Sequence, residues 1–590
     1  MGYRRTFVAT LPLVTIAGCL SDSDSGSGVG DGTDETVPDD QHEDGDETDG
    51  GTDSNWEDDL ERPDETVELS DGIETDETLT SDVLYRVTDQ LTVDATVSIE
   101  PGTILEFEEG AGLRVRGLQG GQIVATGTPD EPIVFTGTQK TPGWWNGIYV
   151  WGSESHDNRL EHVVVEYGGR ESDGTVHLRG SRLPITNSTL AHGDGYGLYV
   201  DEESSIEGSE NNQYSDNEAG GVRLSANSVH SLDAASTYAD NGVDAVTVGG
   251  EDVEGEDVTW NSLDVPYRLR DRTAVREATL TIEPGTTLEF EEGGEFRVRD
   301  GGGLIADGTE DDEIVFTGTQ KTPGWWNGIY VWGSDARNNA LNHVVVEYGG
   351  RESDGNVHVR HGRLPITNAT LRHSDRYGLF LDPNSTIPES KANTYTENAA
   401  GAVKLDAHTA HYLDSNSTYT GNGEDAVVVD GTDVEHEDVT WSALDVPYRL
   451  RGRTQVRDVD LTIEPASTVL FEEGGEFRLR DGSGLIARGT EDEKIVFSAT
   501  EEIPGWWSGI YVWGSESHDN RLEHVIVEYG GRESNGSVHL RTGRFTITDC
   551  TLRHSDAWGL WAESDVAVND DVCAVNEFSD NGVGDCTIDG

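Results

Sequence analysis

From about residue 75 to the end of the chain, apolar and polar residues alternate in short runs that are separated by Gly, Asn and Asp. The runs 104–107, 113–115 and 123–125 show the pattern, which predicts β-strands because successive side chains of a strand point to opposite faces. No stretch of this part shows a sustained helical spacing of apolar residues. The alternation therefore predicts an all-β body.

The same sequence returns at long, equal intervals. Residues 142–153 recur almost unchanged from Pro323 and again from Pro504. A fixed period of this kind, here ~181 residues, is the sequence signature of a repeat protein. We therefore predict three units, of which the last is truncated. Their bounds are 75–261, 262–442 and 443–590.

A shorter interval lies within each unit. Gly197, Gly221 and Ala245 are evenly spaced, and Leu190 and Tyr214 are separated by the same length of sequence. A strand-and-turn element that stacks on its own copies predicts a solenoid, here a right-handed parallel β-helix. We expect a whole number of turns in each unit, roughly 7 or 8. Equivalent residues of successive units would then lie on one face, roughly 35 Å apart.

Several segments resemble a known group of proteins. The segments 303–309, 314–317, 326–329 and 346–350 are similar to bacterial and archaeal surface proteins with right-handed parallel β-helix repeats. The resemblance implies the fold of pectate lyases. That fold carries lyases, hydrolases, epimerases, adhesins and passive scaffolds, so the resemblance leaves the function open. The enzyme signatures Gly-His-Gly followed by Arg-x-Lys and Arg-x-Pro-x-x-Arg are absent, which favours a protein that is not an enzyme.

The chain is strongly acidic. Its 114 Asp and Glu residues against 40 Lys and Arg give a formal charge of -74. This charge repels nucleic acid and anionic membranes, so we expect no nucleic-acid partner. The composition is typical of halophilic proteins and resembles that of haloarchaea. Calcium sites are the alternative explanation, but no calcium-binding loop motif occurs, and we predict neither a cofactor nor a metal site.

The N-terminal residues 1–18 predict a signal peptide. Arg4 and Arg5 precede an apolar run over residues 7–16, which is too short to span a bilayer and ends in small residues before Cys19. The segment resembles a twin-arginine lipoprotein signal, which implies lipidation of Cys19 and a location on the extracellular face of the cytoplasmic membrane. An uncleaved anchor is the alternative. Residues 19–74 predict an acidic, disordered linker.

The remaining cysteines lie near the C-terminus. Cys573 and Cys586 are a candidate disulfide, and two buried thiols are the alternative. Cys550 is the third cysteine in this region, and no closely spaced pair predicts a zinc site.

Aromatic residues of the repeated segment are the candidate ligand-binding residues. Ile148 and Val150 face one way in the predicted strand, and Tyr149 and Trp151 face the other. Outward aromatic rings suit stacking on the apolar faces of sugars, and packing beneath loops is the alternative. The candidate set is Trp144, Trp145, Tyr149, Trp151, Trp325, Trp326, Tyr330, Trp332, Trp506, Trp507, Tyr511 and Trp513.

A polar cluster after the next strand is a weaker candidate. It comprises Glu166, Tyr167, Arg170, Glu171, Asp173 and His177. Acid/base chemistry would use such carboxylates, but the cluster occurs three times and its third copy has Asn535 in place of the Asp. The histidines of each unit, such as His162, His177 and His192, are evenly spaced at an interval that differs from the shorter repeat. This mismatch favours solvent-facing or turn positions over a metal cluster.

Together these features predict a non-catalytic surface scaffold or adhesin-like module, with polysaccharide or cell-envelope glycan as the candidate partner and contact with the membrane only through the lipid. A polysaccharide lyase or glycoside hydrolase is one alternative, and a purely structural component of the cell envelope is another.

Overall fold

Short parallel strands wind into a solenoid of about 21 turns, and the strands of each turn pair with those of the turns on either side. The structure is a computed structural model and describes residues 62–589. It confirms the predicted all-β fold, and its topology is that of a right-handed parallel β-helix. Three short 3-10 helices interrupt the described strands, at Gly117–Gln119, Ala226–Ser231 and Thr409–Tyr412. No helix in this part of the chain is long and apolar enough to cross a membrane.

The strands form six sheets, which we number one to six as they are described below, with the branched sheet as sheet six. Sheet one contains Thr66–Leu69, Leu84–Val87, Ile104–Phe107, Ile133–Gly137, Val163–Glu166, Thr189–Ala191 and Gln213–Ser215. Sheet two contains Gln90–Val93, Gly112–Arg116, Ile148–Trp151, Gly174–Arg179, Tyr196–Val200, Gly220–Leu224, Val246–Val248, Tyr267–Leu269, Thr287–Phe290, Ile314–Gly318, Val344–Glu347, Thr370–Arg372 and Thr394–Thr396. Sheet three contains Glu77–Leu79, Thr96–Ile99, Gln122–Thr126, Arg159–Glu161 and Ile185–Thr186.

Sheet four contains Asp252–Glu254, Arg272–Arg276, Glu295–Arg299, Gly328–Trp332, Gly355–Arg360, Tyr377–Leu381, Gly401–Asp406, Val427–Asp430, Tyr448–Arg451, Thr468–Phe471, Ile495–Ala499, Val525–Glu528, Thr551–Arg553 and Glu577–Ser579. Sheet five contains Val258–Trp260, Thr279–Ile282, Gly303–Asp307, Ala340–Asn342 and Ile366–Thr367. Sheet six has two branches that share the long strand Gly536–Thr548. One branch adds Asp433–Val434, Arg453–Arg457, Glu476–Arg480, Ile510–Ser515, Trp558–Glu563, Val566–Val568 and Gly584–Asp589, and the other adds Val439–Trp441, Asp460–Ile463, Gly484–Arg488 and Arg521–Glu523.

The core follows from the alternation in the sequence. In the strand Ile148–Trp151, Ile148 and Val150 are buried, whereas Trp151 is exposed. The shorter interval of the sequence is the length of one turn, because Leu190 pairs with Tyr214 and the ring of Tyr214 stacks on that of Tyr238 at 5.2 Å. Like residues therefore lie above one another inside the helix.

Buried asparagines hold the turns between strands. The side-chain oxygen of Asn217 accepts a hydrogen bond from the Gly193 amide at 3.0 Å, and its nitrogen donates to the Leu190 carbonyl at 3.0 Å. Asn241, one turn later, accepts from the Asn217 amide at 3.1 Å in the same manner. These side chains satisfy backbone groups that the corners would otherwise leave unpaired in the interior.

The helix begins earlier than the sequence predicted. Residues 62–74 were assigned to the disordered linker, but Thr66–Leu69 pairs in parallel with Leu84–Val87. Only Val67 and Leu69 alternate with polar residues there, and two apolar residues within an acidic segment are too few to predict a strand. The predicted signal peptide, Cys19 and most of the linker lie outside the described residues.

The three predicted units share continuous sheets, because sheet two runs without a break from Gln90–Val93 to Thr394–Thr396 and sheet four from Asp252–Glu254 to Glu577–Ser579. At the C-terminus, Cys573 and Cys586 form a disulfide with a Cα–Cα distance of 5.6 Å. The thiol of Cys550 is free and buried.

The expectation that equivalent residues share one face is wrong. Seven steps along sheet two lead from Gln90–Val93 to Tyr267–Leu269. The next copy's equivalent of Gln90–Val93 is Arg272–Arg276, which is the following strand of the same turn and lies in sheet four. One copy of the repeat therefore occupies seven turns and about a third of another, and each copy begins on the next side of the helix.

The turn asparagines provide a test of this packing. Asn339 is buried, accepts from the Leu304 amide at 2.9 Å, and donates to the Ser334 hydroxyl at 3.0 Å and the Arg363 carbonyl at 2.9 Å. We expect Asn339→Ala to lower the free energy of unfolding by about 3 kcal/mol, because it leaves buried backbone groups unpaired. Its exposed neighbour provides the control, as Asn338→Ala should change stability by less than about 0.5 kcal/mol. Equal denaturation midpoints for the two variants would contradict this role.

Candidate functional site

A row of five side chains crosses the outer surface of sheet two, one from each of five successive turns. We call it ladder one, and its members in order are Arg114, Tyr149, His177, Tyr199 and Arg223. The strand register places each of these residues directly beside the next, although they are far apart in the sequence. The parallel pairing thus builds the site.

The members of ladder one contact one another through their rings and charges. The guanidinium carbon of Arg114 lies 5.3 Å from the ring centre of Tyr149, and that of Arg223 lies 4.9 Å from the ring centre of Tyr199. The His177 ring is 4.9 Å from Tyr149 and 4.7 Å from Tyr199. The result is a rigid strip in which an arginine covers the ring at each end.

The same strip recurs in the other copies of the repeat. Ladder two lies on sheet four and consists of Arg297, Tyr330, His358, Phe380 and Lys404. Ladder three lies on sheet six and consists of Arg478, Tyr511, His539 and Trp561, followed by Thr587 in place of the second cation. The ring-to-ring distances of these two ladders are 4.7 to 4.8 Å.

A second outer row runs beside each ladder and carries an exposed tryptophan. Trp151, Trp332 and Trp513 are 41%, 46% and 42% exposed, so each indole is open to solvent. Arginines flank each indole, and in the third copy the guanidinium carbons of Arg480 and Arg541 lie 4.6 and 5.3 Å from the Trp513 ring. Arg541 also donates to the Tyr511 hydroxyl at 3.3 Å, which connects the two rows.

Shallow depressions accompany the first two ladders. The one beside ladder one has a volume of about 240 Å³ and its lining includes Glu171, Asp173 and His177. The depression beside ladder two has a volume of about 290 Å³. Gly147 lies in the lining of the first depression, where its φ of +87° and the close approach of the Thr175 carbonyl oxygen, 2.4 Å from where a Cβ would lie, require a glycine.

The histidine at the centre of each ladder is held in its neutral form. Burial is the main cause that lowers the pKa of His177 and His358, although Asp201 and Asp382 lie 3.5 and 3.1 Å from their Nε2 atoms and oppose the shift. In ladder three, burial and Arg541 lower the pKa of His539 to about 4. The histidines therefore act as aromatic spacers at neutral pH and add no charge.

Three of the predicted aromatic residues are inside the helix. Trp145, Trp326 and Trp507 have no exposed surface and stack on Phe107, Phe290 and Phe471 at 3.9 to 4.0 Å. Their indole nitrogens donate to backbone carbonyls, as Trp145 does to Glu166 at 2.7 Å. Their assignment to a surface set is corrected, because each fills the interior beneath the loop that precedes its strand.

Trp144, Trp325 and Trp506 are half-buried, and Trp144 and Trp506 pack against the core. The indole nitrogen of Trp144 donates to the Thr138 hydroxyl at 3.0 Å, and those of Trp325 and Trp506 make the equivalent bonds at 3.0 Å. These tryptophans fasten the loop. The predicted set is thus reduced to six residues on the outer faces, namely Tyr149, Trp151, Tyr330, Trp332, Tyr511 and Trp513.

The weaker polar candidate is divided between two sides of the helix. Glu166 belongs to sheet one, is buried, and accepts from the Thr136 hydroxyl at 2.6 Å, whereas His177 belongs to sheet two. Arg170 forms an ion pair with Glu109 at 2.9 Å. His162 and His192 have positive φ and lie at turns, as predicted, whereas the prediction is wrong for His177, which is buried in the strand Gly174–Arg179. Among residues 62–589, no group of three His, Cys, Asp or Glu side chains is arranged to hold a metal ion.

Sequence reasoning missed the other members of each ladder. Neighbours in ladder one are separated by unequal lengths of sequence, because loops of different length lie between the strands. Only the step from Tyr199 to Arg223 matches the shorter interval that is visible in the sequence. The signal available in the sequence was that equivalent positions of the three copies carry the same kinds of residue, namely an arginine, an aromatic ring, a histidine and a second ring.

Comparison with known proteins supports the fold. Residues 71–183 and 250–364 match the family model of the pectate-lyase like beta helix domain. These two segments lie in the first and second copies of the repeat and are similar to that domain. No curated protein and no solved structure matches the chain.

The pKa of His539 is directly testable. We expect this imidazole to titrate near pH 4, well below the ordinary value of 6.5. As the pH falls below about 6.5 the unfolded chain takes up the proton first, so this histidine's contribution to stability is complete above that pH and is lost as the pH falls towards 4. NMR titration of histidine-labelled protein would measure it, with His539→Gln assigning the signal. A midpoint at or above 6.5 would contradict the buried environment.

Proposed function

We propose that this chain is an exported, lipid-anchored surface protein whose β-helix binds polysaccharide without cleaving it. The observation that carries the proposal is the ladder of cation, ring, histidine and ring, which occurs on three copies of the repeat with similar distances and ends in a second cation on the first two. The predicted signal and the lipidation of Cys19 would attach this body to the outer face of the cytoplasmic membrane.

The shape of a ladder suits an extended polymer. Its residues follow the helix axis at one per turn, so five turns extend over about 19 Å at the usual strand spacing of about 4.8 Å. Aromatic faces such as that of Trp151 offer apolar contact to the C–H face of a sugar ring, and the adjacent arginines offer hydrogen bonds to its rim. A sugar chain laid along the axis would contact several of these groups at once.

The arginines favour a polymer that carries acid groups. Ladder one and its tryptophan row contain Arg114, Arg116, Arg179 and Arg223, of which Arg116 is paired with Asp94, in a chain with only 40 basic residues against 114 acidic ones. A guanidinium group matches a carboxylate or sulfate through paired hydrogen bonds. Concentration of these groups on one surface of so acidic a protein supports an anionic sugar polymer as the ligand.

The copies differ in how freely their arginines can act. Arg297 and Arg478 form ion pairs with Glu295 and Glu476, whereas the position equivalent to these glutamates in ladder one is Gly112. The guanidinium of Arg114 lacks that competing carboxylate. Ladder one is therefore proposed as the strongest of the three sites for an acidic polymer.

Repetition of the ladder favours binding over catalysis. An enzyme depends on one arrangement of acid and base, whereas here the aromatic rows recur in all three copies and one of the carboxylates beside them does not, since Asp173 corresponds to Asn535 in the third copy. The central histidines are neutral, which leaves them without the charge of a general acid at neutral pH. A lyase or hydrolase that acts beside one sheet is the second candidate function, and the product assay described below tests it.

Removal of the outer rings should weaken binding stepwise. We expect each of three double substitutions to remove the rings of one ladder and its tryptophan row. The pairs are Tyr149→Ala with Trp151→Ala, Tyr330→Ala with Trp332→Ala, and Tyr511→Ala with Trp513→Ala. Together they should lower the affinity for alginate or dextran sulfate at least ~10-fold, since each ring contributes about 1 kcal/mol. Calorimetry at high salt would measure this. Arg521→Gln, on a strand outside the ladders, is the matched control and should bind as the wild type.

Loss of one guanidinium group should weaken binding to different extents in the different copies of the repeat. Arg114→Gln is expected to weaken binding of the acidic polymers about 3-fold or more and to leave binding of a neutral mannan nearly unchanged, because it removes a guanidinium group that lacks the glutamate partner of Arg297. Arg297→Gln should have the smaller effect, since Glu295 already neutralises that group. Equal effects of the two substitutions would contradict the proposed ranking.

The same polymers, incubated with the protein and analysed for reducing ends and unsaturated products, test the absence of catalysis. Polymer that is bound and recovered intact supports the proposal. Release of product that depends on one copy of the repeat would replace it with the enzymatic alternative. Intact polymer that is also never bound would favour a purely structural role in the envelope.

A further inference from the structure

We infer that the three ladders engage separate polymer chains, so that a single copy of the protein bridges glycan strands. This inference rests on the proposed function and concerns the direction in which each site faces. These directions are determined by the length of the repeat, because each copy occupies seven turns and about a third of another.

The ladders lie on three different sides of the helix. Within one turn, Tyr267–Leu269 belongs to sheet two and the next strand, Arg272–Arg276, belongs to sheet four. Two sides that follow one another around the turn therefore carry ladders one and two. The same step recurs later, where Tyr448–Arg451 of sheet four is followed by Arg453–Arg457 of sheet six, the side that carries ladder three.

The ladders are also separated along the axis. Equivalent strands of successive copies are just over seven turns apart, which is about 35 Å at the spacing between strands. Each ladder extends over about 19 Å of that distance. The ladders therefore do not meet end to end, even where two sides adjoin.

The surface beyond a ladder does not continue its pattern. On sheet two, the outer row that contains Arg223 goes on through Thr247, Arg268 and Glu289. Arg268 is paired with Glu289 at 3.1 Å, and none of these three positions adds a ring to the row. A straight polymer that lies on ladder one therefore leaves the aromatic strip on the same side without reaching another.

A continuous polymer could reach a second ladder only by crossing a corner of the helix, where the chain turns between sheets. The corner between sheets two and four, at Arg270, Asp271 and Arg272, carries no aromatic ring. A polymer that bends around this corner gives up its contact with the rings over that length. Separate straight chains on separate sides need no such bend, and a protein with three such sides acts as a junction.

The experiment is a two-colour capture with the full chain. Alginate, and in parallel dextran sulfate, is fixed on beads, loaded with protein, washed, and offered the same polymer with a fluorescent label at high salt. Wild-type protein should retain the label. A variant that keeps only ladder one, with Tyr330, Trp332, Tyr511 and Trp513 changed to Ala, should bind the beads and retain at least ~5-fold less label.

Variants that lose only one ladder provide the matched control, because two sites remain and the label should still be retained. Light scattering of the unbound protein establishes that it is monomeric at the concentration used. Retention of label by the variant with one ladder, at the wild-type level, would overturn bridging through the ladders.

Two further outcomes separate the inference from the function on which it rests. Wild-type protein that binds the beads but never retains label overturns bridging and leaves polysaccharide binding intact. Protein that binds neither polymer overturns both. Retention that is lost when two ladders are removed, and not when one is removed, is the result that supports a junction.

Discussion

Parallel pairing between turns is the constraint on which the rest of this structure depends. Each residue of a strand lies beside its counterpart one turn away, about 4.8 Å distant, so any residue type chosen at one position is stacked on the next. Inside, this stacks Tyr214 on Tyr238 and aligns the buried asparagines of the corners. Outside, it converts residues that are distant in the sequence into a continuous ladder.

The second constraint is the relation between the length of the repeat and the length of a turn. A whole number of turns in each copy would align the three ladders on one side and offer a single long polymer one continuous track. The extra third of a turn moves each copy to the next side, while every strand still finds a parallel partner. Where two copies meet, a sheet therefore passes from one part of the repeated sequence to another. Sheet two carries ladder one first and then the strands that hold Arg268 and Glu289.

Much of the fold could be predicted from the sequence, because alternation and repetition both report directly on strands and stacking. The alternation predicted which side chains of Ile148–Trp151 face the core, and the shorter interval predicted the length of the later turns. Two features could not be predicted. The fractional turn depends on the lengths of loops that no periodicity reveals, and the burial of Trp145 depends on the loop that leads it beneath Phe107. The adjacent Trp144 and Trp145 therefore do not form the outward-facing pair that the motif predicted.

The candidate site illustrates the same limit. Tyr149 and Trp151 could be placed outside because they alternate with aliphatic residues, but their neighbours His177 and Tyr199 belong to other strands and are adjacent only through the register. The copies then show which features the ladder requires. Tyr199 becomes Phe380 and Trp561, so a ring suffices there, whereas the histidine and the first arginine are identical in all three copies.

A neutral histidine between two rings keeps the spacing near 4.8 Å without adding a charge that the buried position would disfavour. In the third copy the second cation is replaced by Thr587, and the adjacent Cys586 forms the disulfide with Cys573. The ladder thus varies most in the copy that carries the disulfide.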